Sequence, residues 1–96
     1  MALQPTTYTS IPKVIDAIQW DGTAEHANLI VEWIQENGGQ AEAYWSADTS
    51  LIRIHTLVGV MGCEPGGYVV HGLEGEFYPA TTSVFEKSYR PLEIHP

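Results

Sequence analysis

Ninety-six residues carry 4 lysines and arginines against 12 aspartates and glutamates, a formal charge of −8. Phosphate backbones are bound chiefly by cations that displace counterions, so direct nucleic-acid binding is disfavoured. Hydrophobic residues make up 44% of the chain and charged residues 17%. That composition is globular, the length suits a single domain, and no apolar run approaches the ~20 residues of a membrane span, so no membrane partner is expected. The lone cysteine, Cys63, excludes an internal disulfide and cannot by itself build a structural zinc site.

Residues 1–10, Thr-rich and without periodicity, read as a flexible arm ahead of a single domain spanning 11–96. The start lacks the basic and apolar regions of a secretory signal, so a cytosolic setting is expected. The stretch "KVIDAIQWDG" predicts a strand carrying Val14, Ile15, Ile18 and Trp20, with Asp16 out of place on the apolar parity and Asp21-Gly22 as its exit. Next, "TAEHANLIVEWIQENGG" predicts an amphipathic helix: Ala27, Ile30, Val31 and Ile34 recur at helical spacing, and Leu29 and Trp33 widen the stripe. Thr23 is placed to cap it, Glu25 lies near its positive end, and Asn37-Gly38-Gly39 supplies a left-handed exit.

Two strands follow, "AEAYWSA" and "SLIRIHTL", joined through Asp48-Thr49-Ser50 as a hairpin. In the second, Ile52 and Ile54 share one face while Arg53 and His55 share the other. The Pro65-Gly66-Gly67 turn leads to a strand over Tyr68 to His71. The turn Leu73-Glu74-Gly75 then leads to a short strand that Pro79 ends. That order is one strand, one helix and four strands. Ser83-Val84-Phe85-Glu86 matches the capping box S-x-x-E and predicts a short helix starting at Ser83, ended by Pro91, with Leu92 to Ile94 as a further edge strand. The fold class expected is therefore α+β, a mainly antiparallel sheet with one long amphipathic helix and one short C-terminal helix, packed on one face.

With those elements in place, "PGGYVVHGLEGEFYPATTSVFEKSYRPL" resembles the C-terminal signature of a family of small, uncharacterised proteins of tailed bacteriophages, including phages of actinobacteria. The resemblance is carried by Pro65, Gly66, Tyr68, Gly72, Gly75, Glu76, Phe77, Tyr78, Pro79, Phe85 and Tyr89, with "AIQWDGT" similar to the family's opening strand. Gly67 stands where the family usually has an aspartate, and Ala80 where a cysteine or similar residue is common. The resemblance implies a phage protein working in the host cytoplasm. It implies no reaction.

Chemistry-bearing residues are few. His55, Cys63 and His71 match no zinc spacing and read as two sheet-surface histidines and a small buried hydrophobe. Cys63 has no base beside it in sequence, Glu74 and Glu76 read as solvated carboxylates, and no phosphate loop is present. No catalytic residue, metal or cofactor is assigned. What remains is a set of strand aromatics that one layer of helix cannot cover. Tyr44, Trp45, Tyr68 and Tyr78, with Glu76, form a candidate protein-interaction surface. The function expected is a non-enzymatic accessory protein that binds a host protein, with a homodimer as a further possibility. The alternative is a small-ligand or nucleotide-signal binder using Arg53, Arg90 or Lys87 beside Tyr or Trp rings, with a small enzyme third.

Overall fold

A computed structural model describes residues 3–9 and 13–92. Its elements are β1 (Asp16–Gln19), α1 (Ala24–Glu36), β2 (Ala41–Trp45), β3 (Ser50–Thr56), β4 (Gly59–Cys63), β5 (Tyr68–His71), β6 (Phe77–Ala80) and α2 (Thr82–Ser88). Residues 3–9 carry no helix or strand and are exposed. The strands form two antiparallel three-stranded sheets, ordered β1-β5-β6 and β2-β3-β4. The α+β class, mainly antiparallel with one long and one short helix, is as the sequence predicts. The single sheet is corrected to two, and the four strands after the helix to five.

The division into two sheets is made at one turn. Gly66 takes a φ of 86°, a backbone region that favours glycine. The turn hands the chain to β1 instead of back to β4: Gly66 N–H donates to Trp20 O at 2.9 Å, and Trp20 N–H donates to Gly67 O at 2.9 Å. Gly67 is closed in, because a Cβ there would stand 3.0 Å from Glu64 O, 3.1 Å from Cys63 Sγ and 3.2 Å from Ala80 O.

The core lies between the sheets and under α1. It joins Trp20, Ala27, Ile30, Ile34, Ala41, Ile52, Ile54, Cys63, Val69 and Phe77. Ala27, Ile30 and Ile34 are the buried residues of α1, the spacing that defined the helix in sequence. Leu29, expected to widen that stripe, is 58% exposed instead. Trp33 is half-buried, its ring edge-on to Phe77 with centroids 5.3 Å apart. Trp20 is fully buried and donates Nε1–H to Thr23 O at 2.9 Å, so the largest core residue also braces the start of α1. Thr23 caps α1 by accepting from His26 N–H at 3.1 Å, and Asp21 accepts from the Thr23 amide and hydroxyl. At the other end Gly38 takes a φ of 87° and Gly39 N–H donates to Ile34 O. Asp16 opens β1 opposite His71, exposed at the rim of its sheet, with no bulge in the register.

The additional strand is the stretch from Gly59 to Cys63, β4, paired with β3 from Thr56↔Gly59 to Ile52↔Cys63. Two further expectations are corrected. Pro79 lies inside β6 rather than ending it. It is tolerated because β6 is an edge strand: Gly72 N–H bonds Glu76 O, and the alternation that follows turns the main chains of Phe77 and Pro79 away from β5. Finally, α2 is capped by Thr81 and not by Ser83, which sits inside the helix. Thr81 Oγ1 accepts from Val84 N–H at 3.4 Å, and the Thr82 hydroxyl donates to Gly66 O, tying the start of α2 to the turn between the sheets. The helix ends at Ser88, short of Pro91. The expected strand over Leu92 to Ile94 runs into residues outside those described; Leu92 itself is in no strand.

Candidate interaction surface

Register decides which side chains share a face, since successive residues of a strand alternate. On the sheet β2-β3-β4, Ala41, Ile52, Ile54 and Cys63 point into the core. Glu42, Tyr44, Leu51, Arg53, His55 and Val60 therefore share the opposite, outer face. Of the two helices, α1 packs its buried stripe into the core and α2 packs on the other sheet, so neither covers this face. Tyr44, Arg53, His55 and Val60 are exposed accordingly.

The outer face is organised by cross-strand pairs. The Arg53 guanidinium lies over the Tyr44 ring, 4.1 Å from its centroid, an arrangement in which cation and ring attract. His55 Nε2 lies 3.3 Å from both carboxylate oxygens of Glu42. Leu51 lies across the bare backbone of Gly62, its Cδ atoms 3.4 Å from where a Cβ would stand. Beyond these, the β3–β4 hairpin ends in Leu57 and Val58, 74% and 87% exposed. Most hairpin tips are polar, so this one is an apolar projection beside a face built of an aromatic, an arginine and aliphatics.

The other sequence-selected residues go elsewhere. Trp45 lies on the inner side of β2, edge-on to Trp20 with centroids 6.0 Å apart. Tyr68 is stacked on Phe85 of α2 at 3.9 Å and donates its hydroxyl to Glu86 at 3.1 Å. Tyr78 shares that side of β1-β5-β6; burial, then the Tyr89 hydroxyl, pushes its phenol up to about 12. Glu76 folds back over Gly72, whose missing Cβ leaves the space. The five residues proposed from sequence thus divide among three places, and only Tyr44 is on the open face of β2-β3-β4. Arg53 joins it there, whereas Arg90 lines a separate groove of about 440 Å³ with Lys13, Tyr68, Phe85 and Tyr89.

Leu51, Val60, Leu57 and Val58 escaped the sequence reading. An apolar pair in the middle of "HTLVGVM", where a hairpin normally turns on polar residues, was the available signal.

Cys63 is buried, and burial followed by Glu64 pushes its thiol up to about 11, so it stays protonated at neutral pH and is a poor nucleophile. His55 and His71 are on different sheets, and His71 stacks on Phe77 at 4.3 Å. Among the described residues no three metal-binding side chains converge, and no helix is long and apolar enough to cross a membrane. No family model, curated protein or solved structure matches the chain.

Proposed function

We propose that this chain is a non-enzymatic protein-binding module whose contact surface is the outer face of β2-β3-β4, centred on Tyr44 and Arg53. One observation carries the reading: a sheet face that neither helix covers presents a tyrosine, an arginine and aliphatics, the side chains that anchor protein interfaces. The resemblance carried by Gly75 to Pro79 supports a phage accessory protein that acts on a host protein in the host cytoplasm. The formal charge of −8 favours a partner with a basic or mixed patch, since complementary charge speeds encounter. The test is capture of a host polypeptide by the purified chain, compared with Tyr44→Asp and Arg53→Glu. Both variants should keep the parent melting temperature and lose the polypeptide. Undiminished capture by both would remove the outer face from the account.

A second reading has its own observation. Arg90 and Lys13 border the groove that Tyr68, Phe85 and Tyr89 line, and rings beside cations suit an anionic ligand with an aromatic part, such as a nucleotide signal. Nucleotides should then raise the melting temperature, and Arg90→Ala should abolish the effect.

A further inference from the structure

Four strands lie at sheet edges: β1, β6, β2 and β4. Exposed edges invite pairing with another chain, and proteins usually guard them with charge or proline. Three here are guarded in that way: β1 carries Asp16, β2 carries Glu42, and β6 turns the nitrogen of Pro79, which has no hydrogen to donate, toward the outside. The fourth is not. β4 reads Gly-Val-Met-Gly-Cys, without one of the chain's 12 carboxylates and without proline, and Val60 and Met61 are 57% and 43% exposed.

The direction of its free main-chain groups follows from the ladder. His55 N–H donates to Gln40 O, so the odd residues of β3 bond toward β2 and its even residues toward β4. Paired through Ile54↔Met61 and Ile52↔Cys63, β4 then turns the N–H and C=O groups of Val60 and Gly62 outward. Among the described residues neither has a partner on that side.

We propose that β4 joins two copies of this chain, edge to edge and antiparallel, into one six-stranded sheet. The free groups are two residues apart on one strand, so they complement themselves. Val60 exchanges both hydrogen bonds with the partner's Gly62, Gly62 does the same with the partner's Val60, and Met61 faces the partner's Met61 across the two-fold axis. The partner's Val60 then packs against Leu51, which lies over the side-chain-free Gly62. In this register the apolar tip, Leu57 and Val58, extends toward the partner's Glu64 and Pro65. Those residues form the lip of a groove of about 730 Å³ between β4 and the β6–α2 corner, lined also by Met61, Pro79 and Ala80. Each copy thus carries both an exposed apolar tip and an apolar groove to receive one. Two chains of charge −8 repel, but β4 itself bears no charge, and unlike β6 it has no proline to block pairing. The two-fold leaves both outer faces on the same side, so the dimer presents two Tyr44–Arg53 patches side by side.

Met61→Cys tests the register. Opposed residues of a non-hydrogen-bonded pair have Cα atoms ~4.5 Å apart, within the span a disulfide closes. Mild oxidation should therefore give a covalent dimer of Met61→Cys, with the cross-link mapped to that position, and little or none of Leu73→Cys, which is exposed but lies in the β5–β6 turn of the other sheet. In sedimentation the parent chain should dimerise with concentration, and added salt should leave the dimer intact or strengthen it by screening repulsion. Val60→Lys and Val60→Pro should each weaken it tenfold or more while circular dichroism stays unchanged. A parent chain monomeric to millimolar concentration, a dimer that both Val60 variants leave intact, or cross-linking from Leu73→Cys as readily as from Met61→Cys would each overturn the proposal. Dissociation by salt would do so too, because it would mean that ion pairs between the copies, and not the uncharged β4 edge, hold them together.

Discussion

Replacing Trp20 with alanine removes the largest fully buried side chain at the point where β1, α1 and both sheets meet. Deleting a buried tryptophan costs about 3–5 kcal/mol in transfer and cavity terms. The lost bond from Nε1 to Thr23 O adds about 1 kcal/mol at most, since that carbonyl keeps the Ala27 amide as a donor. Domains of this size are stable by roughly 5–14 kcal/mol, so Trp20→Ala is expected to be folded but marginal. With a urea m value of about 1.5 kcal/mol/M, its unfolding midpoint should fall by about 2–4 M, read by far-ultraviolet circular dichroism. Trp20→Phe keeps most of the ring and loses the bond, and should cost about 1–2 kcal/mol. A midpoint for Trp20→Ala within about 0.5 M of the parent, or equal losses for the two variants, would refute this placement of the core.

Helix α2 gives a sharp contrast: Thr81→Ala should cost about 0.5–1 kcal/mol through its lost cap, whereas Ser83→Ala should lie within about 0.5 kcal/mol of the parent in thermal melts. Gly39→Ala should cost about 1–3 kcal/mol, because its Cβ would stand 2.6 Å from Ile34 Cγ2 and 2.7 Å from Phe77 Cδ2. Gly72→Ala should cost less, since the main obstacle is the flexible end of Glu76, and Tyr78 Cε1 at 3.3 Å has only to give slightly. Hydrogen bonds from Thr23, first its hydroxyl and then its amide, hold the Asp21 carboxyl below its ordinary value. A depressed carboxyl supports the fold above its unfolded pKa and loses that support as pH falls through the folded value. The start of α1 should therefore loosen in acid below the ordinary carboxylate range, followed by the Asp21 carboxyl signal in NMR, and Asp21→Asn should show no such step.

What could be read in advance was whatever the chain encodes locally. Thr23, the Ala27-Ile30-Ile34 stripe and Asn37-Gly38 specify α1 within a few turns, and the alternation of Ile52, Arg53, Ile54 and His55 specifies both faces of β3. Where the answer depends on partners distant in sequence, reading failed. β4 holds two glycines and a methionine and has little strand preference of its own; pairing with β3 makes it a strand. Thr81, Thr82 and Ser83 are all capable caps, and the choice is made by the bond from Thr82 to Gly66, sixteen residues away. The surface followed the same division. Tyr44 and Arg53 were each selectable by residue type, but as members of different hypotheses. Their meeting depends on the Glu42↔Arg53 and Tyr44↔Leu51 register of the hairpin. Tyr68 and Tyr78 looked available because the aromatic stack of α2 over that sheet is a tertiary contact.

The central claim is that the outer face of β2-β3-β4 meets a protein. It is tested most directly by placing a photo-activated cross-linking side chain at Tyr44 and irradiating cells that express the chain, with the same group at Leu73 as control. The account predicts one discrete adduct from position 44, of a mass that is neither the chain nor its dimer, and none from position 73. Equal labelling from both positions, or none from Tyr44 while the chain purifies with a small molecule in the Lys13–Arg90 groove, would contradict it.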